Sequence, residues 1–300
     1  MVILALACGP SGVETGIGGP WDCAALPTAP FEQESFPAIA NEDITFDASG
    51  NLVGADVFSN LWRTDLSGAS SIVLPSSGVT AGLRLMPWDG TLASAQYATN
   101  AIYRIDPISG ARELLVAGLS TPSGIEIGPD ESIWFGELNG DRIQRYHVPT
   151  GTLFVVAEGL LRPNGLTFNR DFDQLYVAAT DESRIYVIDI DPVSFEAVGE
   201  PRVFAENAGE GIDGLEVDAC GNVYAAWWSQ ARIDRYGPDG SGPEPIAFFP
   251  EANFALGNFA WGDVTHGWDP ETIFIVETGL GTVRSLRLGV GGKTRSATAR

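Results

Sequence analysis

Two short stretches with the same pattern decide the fold of this chain: Arg162-Pro163-Asn164-Gly165-Leu166 and, 49 residues later, Gly211-Ile212-Asp213-Gly214-Leu215. In each stretch a side chain that carries oxygen precedes a glycine and an aliphatic residue. An alternating run that is typical of a β-strand follows. If the two stretches are equivalent positions of a repeat, we expect their side-chain oxygens to converge.

The same pattern recurs and divides the chain into six segments, about 40 to 50 residues apart. They start near Asn41, Thr80, Thr121, Arg162, Gly211 and Leu256. Each segment contains a first strand, a turn with a second strand, and a third strand. A four-stranded unit repeated six times indicates a β-propeller, in which radial closure protects the sheet edges. We therefore predict an all-β, six-bladed propeller with four-stranded blades over residues 31–292.

The sixth segment supplies only three clear strands before the glycine pair Gly291-Gly292. The missing strand of the last blade is therefore predicted in the segment from Ala24 to Ala38. In this interpretation a strand from the N-terminal side closes the ring, and residues 293–300 form a C-terminal tail.

Composition agrees with an all-β chain and excludes one class of partner. The 300 residues include 36 Gly and 19 Pro, which favour many tight turns. The net charge is −22, with 39 acidic side chains against 17 basic ones. Such a surface repels a phosphate backbone, so nucleic acid is not an expected partner. We expect a monomer that acts on a small molecule.

The first 30 residues are predicted to lie outside the propeller. The run from Met1 to Cys8, MVILALAC, resembles the end of a bacterial lipoprotein signal, with Cys8 as the lipidated residue. The match is imperfect, because the run lacks a charged leading segment and is shorter than an export signal, so it is either a truncated signal or an apolar N-terminus. Truncation is favoured because the stretch that follows looks like the tether of such an anchor. Gly9–Pro20 reads as a flexible tether. We expect an extracytoplasmic protein, at the cell envelope or in the periplasm, that contacts the membrane only through a lipid anchor.

Two further cysteines, Cys23 and Cys220, leave two alternatives open. In an oxidising compartment they could form a disulfide between the N-terminal segment and the fifth repeat, or they could be unrelated thiols.

The first strands of all blades begin on one face of a propeller, around the central channel. Residues equivalent to Asn164 should therefore form a ring, which we predict as Glu42, Ala81, Ser123, Asn164, Asp213 and Asn258. Carboxylate and amide oxygens without Cys or His suit a hard cation such as Ca²⁺. The alternative, that Asn and Asp cap local turns, explains Asn164 or Asp213 singly but explains Glu42 poorly.

Three motifs make the resemblance to a known family specific. They are Pro163-Asn164-Gly165-Leu166, Asp213-Gly214-Leu215 with the Asp-x-x-Gly-Asn-Val run 218–223, and the Glu42–Leu52 segment. Together they resemble the family of senescence marker protein, gluconolactonase and luciferin-regenerating enzyme, over about residues 40–290.

The resemblance implies a divalent cation held by Glu42, Asn164 and Asp213, with calcium the first expectation and Zn²⁺, Mn²⁺ or Mg²⁺ as alternatives. It also implies hydrolysis of lactones or related esters, with Asp213 as general base as well as ligand. Ser123, Asn258 and Trp228 are the expected substrate-binding residues.

One departure from the family pattern bears on substrate. The sugar lactonases carry Arg-x-Asn-Asp in the third blade, where this chain has Thr121-Pro122-Ser123-Gly124. An arginine that binds sugar hydroxyls is thus replaced by Thr121, and an asparagine by Ser123. Specificity for sugar lactones is therefore not expected. The alternative function is a non-catalytic propeller that keeps a structural cation and acts as an extracytoplasmic binding module.

Overall fold

The computed structural model describes residues 21–78, 80–206, 211–249, 255–278 and 280–293. These residues form six antiparallel four-stranded sheets, which confirms the predicted six-bladed propeller. Among them there is no α-helix, and the only helical elements are single 3-10 turns. None of the helical elements described could cross a membrane. Cys8 and the predicted tether lie outside the described residues.

The strands follow each other from the innermost to the outermost position in each blade. Blade 1 contains β2 (Ile44–Phe46), β3 (Leu52–Ala55), β4 (Leu61–Thr64) and β5 (Ser70–Leu74); blade 2 contains β6 (Thr80–Leu85), β7 (Leu92–Gln96), β8 (Ala101–Ile105) and β9 (Arg112–Ala117). Blade 3 contains β10 (Pro122–Ile127), β11 (Ser132–Glu137), β12 (Arg142–His147) and β13 (Thr152–Glu158); blade 4 contains β14 (Pro163–Phe168), β15 (Gln174–Ala179), β16 (Arg184–Asp189) and β17 (Arg202–Glu206). Blade 5 contains β18 (Ile212–Val217), β19 (Val223–Trp227), β20 (Arg232–Tyr236) and β21 (Glu244–Phe248).

The sixth blade takes its strands from both sides of the chain. It contains β22 (Leu256–Trp261), β23 (Thr272–Glu277), β24 (Thr282–Arg287) and, as its outermost strand, β1 (Gln33–Ile39). Strand β1 is antiparallel to β24, with Gln33 opposite Leu286 and a register irregularity after Phe36. The innermost strands contact one another in order, and β2 also contacts β22.

The hydrophobic core lies between neighbouring blades rather than inside any one of them. One cluster, for example, joins Tyr176 and Val187 of blade 4 to Leu215 and Trp227 of blade 5. The innermost strands are largely buried on both faces, because each of them contacts the innermost strands of both neighbouring blades. Each blade therefore depends on its neighbours for stability.

A repeated turn explains the Asp-x-x-Gly-Asn pattern of the sequence. In blade 5 the Asp218 carboxylate accepts hydrogen bonds from the backbone N–H groups of Cys220, at 2.8 Å, and Asn222, at 2.9 Å. Gly221 between them has φ +83°, a left-handed conformation that favours glycine. Asp47 makes the same turn in blade 1. The motif thus connects the first and second strands on the face opposite the ring.

Segments from both ends of the described chain are attached to blade 5. Cys23 and Cys220 form a disulfide, with their Cα atoms 5.5 Å apart. On the C-terminal side, Gly292 bridges to Asp218, and the N–H of Lys293 donates to the carbonyl of Val217 at 3.0 Å. Blade 5, which carries Asp213, is therefore held from both sides of the chain.

Candidate functional site

The predicted ring lies where each first strand departs from regular pairing. In blade 4, Pro163 pairs with Ala179 and Leu166 with Val177, so Asn164 and Gly165 lie in an irregular step between paired residues. The same step occurs in blade 5, where Ile212 and Leu215 are paired and Asp213 lies between them. Such a bulge redirects a side chain away from the normal alternation of the strand.

The sixth blade corrects one expectation. Leu256 pairs with Glu277 and Phe259 with Ile275, so the residue equivalent to Asn164 is Gly257. Asn258 lies one residue further, level with Gly165 of blade 4. The motif of this blade, Leu-Gly-Asn-Phe, has the glycine and the asparagine in the reverse order, which is why alignment on the asparagine failed.

Glycine follows the ring residue because neighbouring first strands approach closely. A Cβ on Gly124 would lie 2.2 Å from the carbonyl oxygen of Asn164, and a Cβ on Gly165 would lie 2.2 Å from that of Asp213. Any larger residue would separate the blades at this point. The glycines therefore bring the ring residues of blades 3, 4 and 5 together.

Hydrogen bonds connect three ring side chains in sequence. The Ser123 hydroxyl donates to Oδ1 of Asn164 at 2.8 Å. The side-chain amide of Asn164 in turn hydrogen-bonds the Asp213 carboxylate. Ser123 and Asp213 are buried, while Asn164 is partly exposed to the channel. The structure thus places Ser123, Asn164 and Asp213 side by side, as the repeat predicted.

Glu42 lies close enough to Asp213 for the two carboxylates to repel each other. Burial raises the pKa of Asp213 well above its usual range, and the charges of Glu42 and Asp43 raise it further. Burial, followed by the charge of Asp43, raises the pKa of Glu42 to about 7. Burial and the charge of Glu42 also raise the pKa of Tyr97, at the start of a 3-10 turn on this face. Buried carboxylates that repel one another are stabilised when a cation binds between them, because the positive charge offsets the repulsion.

A second layer of charged side chains lies below the ring. The Asp43 carboxylate accepts hydrogen bonds from the Arg84 guanidinium at 3.0 Å and from the N–H of Leu83 at 2.7 Å. Arg84 is also 3.5 Å from Glu216. The attraction of Arg84 does not fully offset the burial of Asp43, whose pKa is raised to about 6.

Lys293, the only lysine of the chain, inserts into this layer from the C-terminal segment. Its Nζ lies 3.0 Å from the Glu126 carboxylate and donates to the carbonyl of Phe168 at 2.7 Å and to the Thr167 hydroxyl. The Lys293 side chain is 5% exposed and that of Glu126 is fully buried. The lower layer is therefore closed by ion pairs between distant parts of the chain.

Negative charge exceeds positive charge in this channel cluster, which we define as five carboxylates and two cationic groups: Glu42, Asp43, Glu126, Asp213 and Glu216, with Arg84 and Lys293. The described residues contain no group of three or more His, Cys, Asp or Glu side chains arranged to hold a metal ion. The ring instead offers two carboxylates and one amide, all oxygen donors. This donor set and the uncompensated charge fit a hard divalent cation.

Sequence reasoning missed the lower layer, although a signal was present. Three residues after a ring position, the channel strands carry charged side chains in blades 2, 3 and 5, namely Arg84, Glu126 and Glu216. Charged residues at one register of otherwise apolar strands indicate a shared polar channel. The insertion of Lys293 has no comparable signal, because it depends on the path of the C-terminal segment.

The two adjacent tryptophans of blade 5 lie in different environments, as expected for neighbouring residues at the end of a strand. Trp227 is fully buried between blades, whereas Trp228 is 51% exposed. The N–H of Trp228 donates to the carbonyl of Gly211 at 2.7 Å, which places Trp228 beside the start of the strand that carries Asp213.

Comparison with known proteins agrees with the motifs. Residues 132–260 match the profile of the SMP-30/Gluconolactonase/LRE-like region. A gluconolactonase of Zymomonas mobilis is 26% identical over 187 residues, covering 53% of this chain and 51% of that protein. A pentonolactonase of Haloferax volcanii is 28% identical over 92 residues, covering 30% of this chain and 32% of that protein. The chain spans about half the length, or less, of the curated relatives it matches.

Solved structures share the fold over nearly the whole chain. A gluconolactonase of Xanthomonas campestris superposes with a TM-score of 0.73 at 21% identity, over 91% of this chain and 99% of that one. Regucalcin of Agrobacterium tumefaciens, a calcium-binding protein, gives 0.72 at 20% identity, over 89% and 96%. The resemblance that the motifs carried is therefore confirmed: residues 132–260, which include Asn164 and Asp213, match the model of the SMP-30/Gluconolactonase/LRE-like region.

Proposed function

We propose that this protein hydrolyses lactones with a divalent cation held by Glu42, Asn164 and Asp213. The observation that carries the proposal is the juxtaposition of these three oxygen donors in a channel whose carboxylates outnumber its cationic groups. Lactonases among the matching proteins support the reaction class. Calcium is the first choice of cation, since the calcium-binding regucalcin shares the fold; Zn²⁺, Mn²⁺ and Mg²⁺ are alternatives. When bound, the cation would polarise the lactone carbonyl and stabilise the negative charge that develops on its oxygen.

The protein side chains orient the reacting groups. The amide of Asn164 donates to the Asp213 carboxylate and limits its rotation, and the Ser123 hydroxyl holds Asn164 in turn. Asp213 is thereby positioned to accept the proton of a water that attacks the carbonyl. Trp228, half exposed beside the strand of Asp213, is placed to contact the substrate.

The experiment combines cation binding with turnover. The protein is stripped with a chelator and titrated with Ca²⁺ while its thermal unfolding is followed. At a calcium concentration 100 times Kd, binding should stabilise the fold by about 2.7 kcal/mol. For a chain of this length that corresponds to a rise in Tm of about 4 °C. Glu42→Gln should abolish the rise, whereas Glu113→Gln on outer strand β9, 62% exposed, should leave it unchanged.

Turnover then separates the two candidate functions. A lactone hydrolase should lose activity in Asp213→Asn while its far-UV circular dichroism stays that of the parent. If Ca²⁺ stabilises the protein but no lactone is hydrolysed, the non-catalytic binding module is favoured. A Tm that does not respond to any divalent cation would refute the assignment of the three ligands.

The location also belongs to this proposal. We propose that the protein works outside the cytoplasm, as a lipoprotein anchored through Cys8, and as a monomer. The disulfide between Cys23 and Cys220 supports an oxidising compartment. Mass spectrometry of the protein isolated from its native membranes would reveal a lipid on Cys8.

A further inference from the structure

We propose that the substrate is a lactone with an apolar side chain, held by an aromatic rim that Tyr97 and Trp228 form on opposite sides of the channel. This inference rests on the proposed lactone hydrolysis and names the substrate class of that site.

Tyr97 and Trp228 occupy equivalent positions in their blades. Each is the first residue of a 3-10 turn that follows the second strand. The preceding residue of each pairs with the first strand directly beside the ring: Gln96 with Thr80, and Trp227 with Ile212. Because blades 2 and 5 are three blades apart in a ring of six, the two aromatic side chains lie across the channel from each other.

Apolar side chains continue the rim through the two blades between them. In blade 1, Val57 and Phe58 are 51% and 79% exposed, and in blade 6 Leu280 is 49% exposed. A Cβ on Gly281 would lie 3.9 Å from Cγ1 of Val57, so the turns of blades 6 and 1 adjoin. In the part of the rim that the structure describes, the turns of blades 5, 6, 1 and 2 thus each carry at least one large exposed side chain that is apolar or aromatic. Large exposed apolar side chains at the mouth of a polar channel indicate an apolar ligand group.

The ring itself offers little to sugar hydroxyls. Besides the three proposed ligands, its positions are Ala81 and Gly257, which have no polar side chain, and Ser123. The Ser123 hydroxyl already donates to Asn164. A polyhydroxylated lactone would leave hydroxyl groups without side-chain partners at this level, which costs binding energy in a buried site.

The rim is equally unsuited to an anionic lactone. Arginines at the ring face form ion pairs with carboxylates: Arg162 lies 3.4 Å from Asp181, and Arg142 lies 3.1 Å from Glu137. Arg232 lies 2.8 Å from Asp234 in the same way. A substrate carboxylate or phosphate would therefore meet paired arginines and the excess negative charge of the channel cluster.

The test uses four lactones with the same six-membered ring: δ-valerolactone, δ-octalactone, δ-decalactone and glucono-δ-lactone. Complete burial of one methylene group raises affinity about fourfold, and a rim that covers only half of the chain should raise it roughly twofold per methylene. We expect kcat/KM to rise about thirtyfold from δ-valerolactone to δ-decalactone, which adds five carbons. Glucono-δ-lactone should be the poorest substrate.

Variants of the rim residues test whether the rim causes the preference for the longer lactone. Tyr97→Ala with Trp228→Ala should reduce the ratio of the δ-decalactone to the δ-valerolactone kcat/KM to about threefold. Phe248→Ala, on outer strand β21 and 60% exposed, should leave that ratio unchanged. A ratio that persists in the double variant, or a preference for glucono-δ-lactone, would overturn this inference and leave lactone hydrolysis intact. Absence of turnover with all four lactones would instead overturn the proposed function.

Discussion

Replacement of Lys293 by methionine tests whether the ion pairs of the lower channel stabilise the fold. Methionine keeps the apolar part of the side chain and removes the ammonium group. The Glu126 carboxylate then loses a partner at 3.0 Å, and the carbonyl of Phe168 loses a donor at 2.7 Å. Both charged side chains are nearly or fully buried, so water cannot replace the missing contacts without rearrangement.

The expected loss follows from that burial. Removal of one partner of a buried ion pair costs about 3 to 5 kcal/mol. The lower end applies here, because the positive charge of Arg84 also acts on Glu126. We therefore expect Lys293→Met to lower the free energy of unfolding by about 3 kcal/mol. With a urea m value of about 3 kcal/mol/M, the unfolding midpoint should fall by about 1 M.

The assay is equilibrium unfolding in urea with a chelator present, so that cation binding does not contribute. Lys293→Met combined with Glu126→Gln should recover at least half of the loss, because no uncompensated carboxylate is then buried. Arg287→Met is the surface control: Arg287 is 64% exposed and pairs with Asp269 at 2.8 Å, so its loss should stay below about 1 kcal/mol. If Lys293→Met costs no more than this control, the reasoning from buried charge is refuted.

Three further predictions concern the scaffold around the site. Cys220→Ser, which opens the disulfide to Cys23, should lower the free energy of unfolding by about 5 kcal/mol under oxidising conditions; equal stability of parent and variant without reductant would contradict it. Burial raises the pKa of Asp218 above 3.8, so the folded state holds its proton more tightly than the unfolded chain does. The stability that this group contributes is therefore fully present below pH 3.8 and is lost as the pH rises through the folded pKa. Between pH 4 and pH 7 the urea midpoint should fall less steeply with pH in Asp218→Asn than in the parent protein. Parallel curves for the two proteins would argue against this assignment. Gly165→Ala should lower the free energy of unfolding by about 1 to 3 kcal/mol and weaken calcium binding, because its Cβ would lie 2.2 Å from the Asp213 carbonyl oxygen. An unchanged Kd for calcium in a calorimetric titration would contradict this close approach.

The fold was predictable because the repeat determines it at several levels. Turn residues such as Gly221, with its left-handed φ, and the alternating strands recur at one period. That period identifies a four-stranded unit without reference to any contact. The equivalence of Asn164 and Asp213 followed from the same repeat, and their contact in the structure is its direct consequence.

The details that failed depend on register and on long-range contacts. Asn258 was aligned by residue type, whereas strand pairing puts Gly257 at the ring position. Asp43 occupies a position that glycine fills in blades 2 to 5, and its carboxylate binds Arg84 of the next blade. A pattern within one repeat does not specify which side chain of a neighbouring repeat it meets, so the ion pairs of the lower channel had to come from the structure.

The disulfide between Cys23 and Cys220 has a consequence for the unfolded chain. It closes a loop with a sequence separation of 197 residues, and Glu42, Asn164 and Asp213 all lie within that loop. An oxidised chain in denaturant is therefore more compact than a reduced one and should elute later from a gel-filtration column. The loop also keeps the three side chains at a higher effective concentration while they are still unstructured. Oxidised protein should thus begin refolding with its prospective cation ligands already confined near one another.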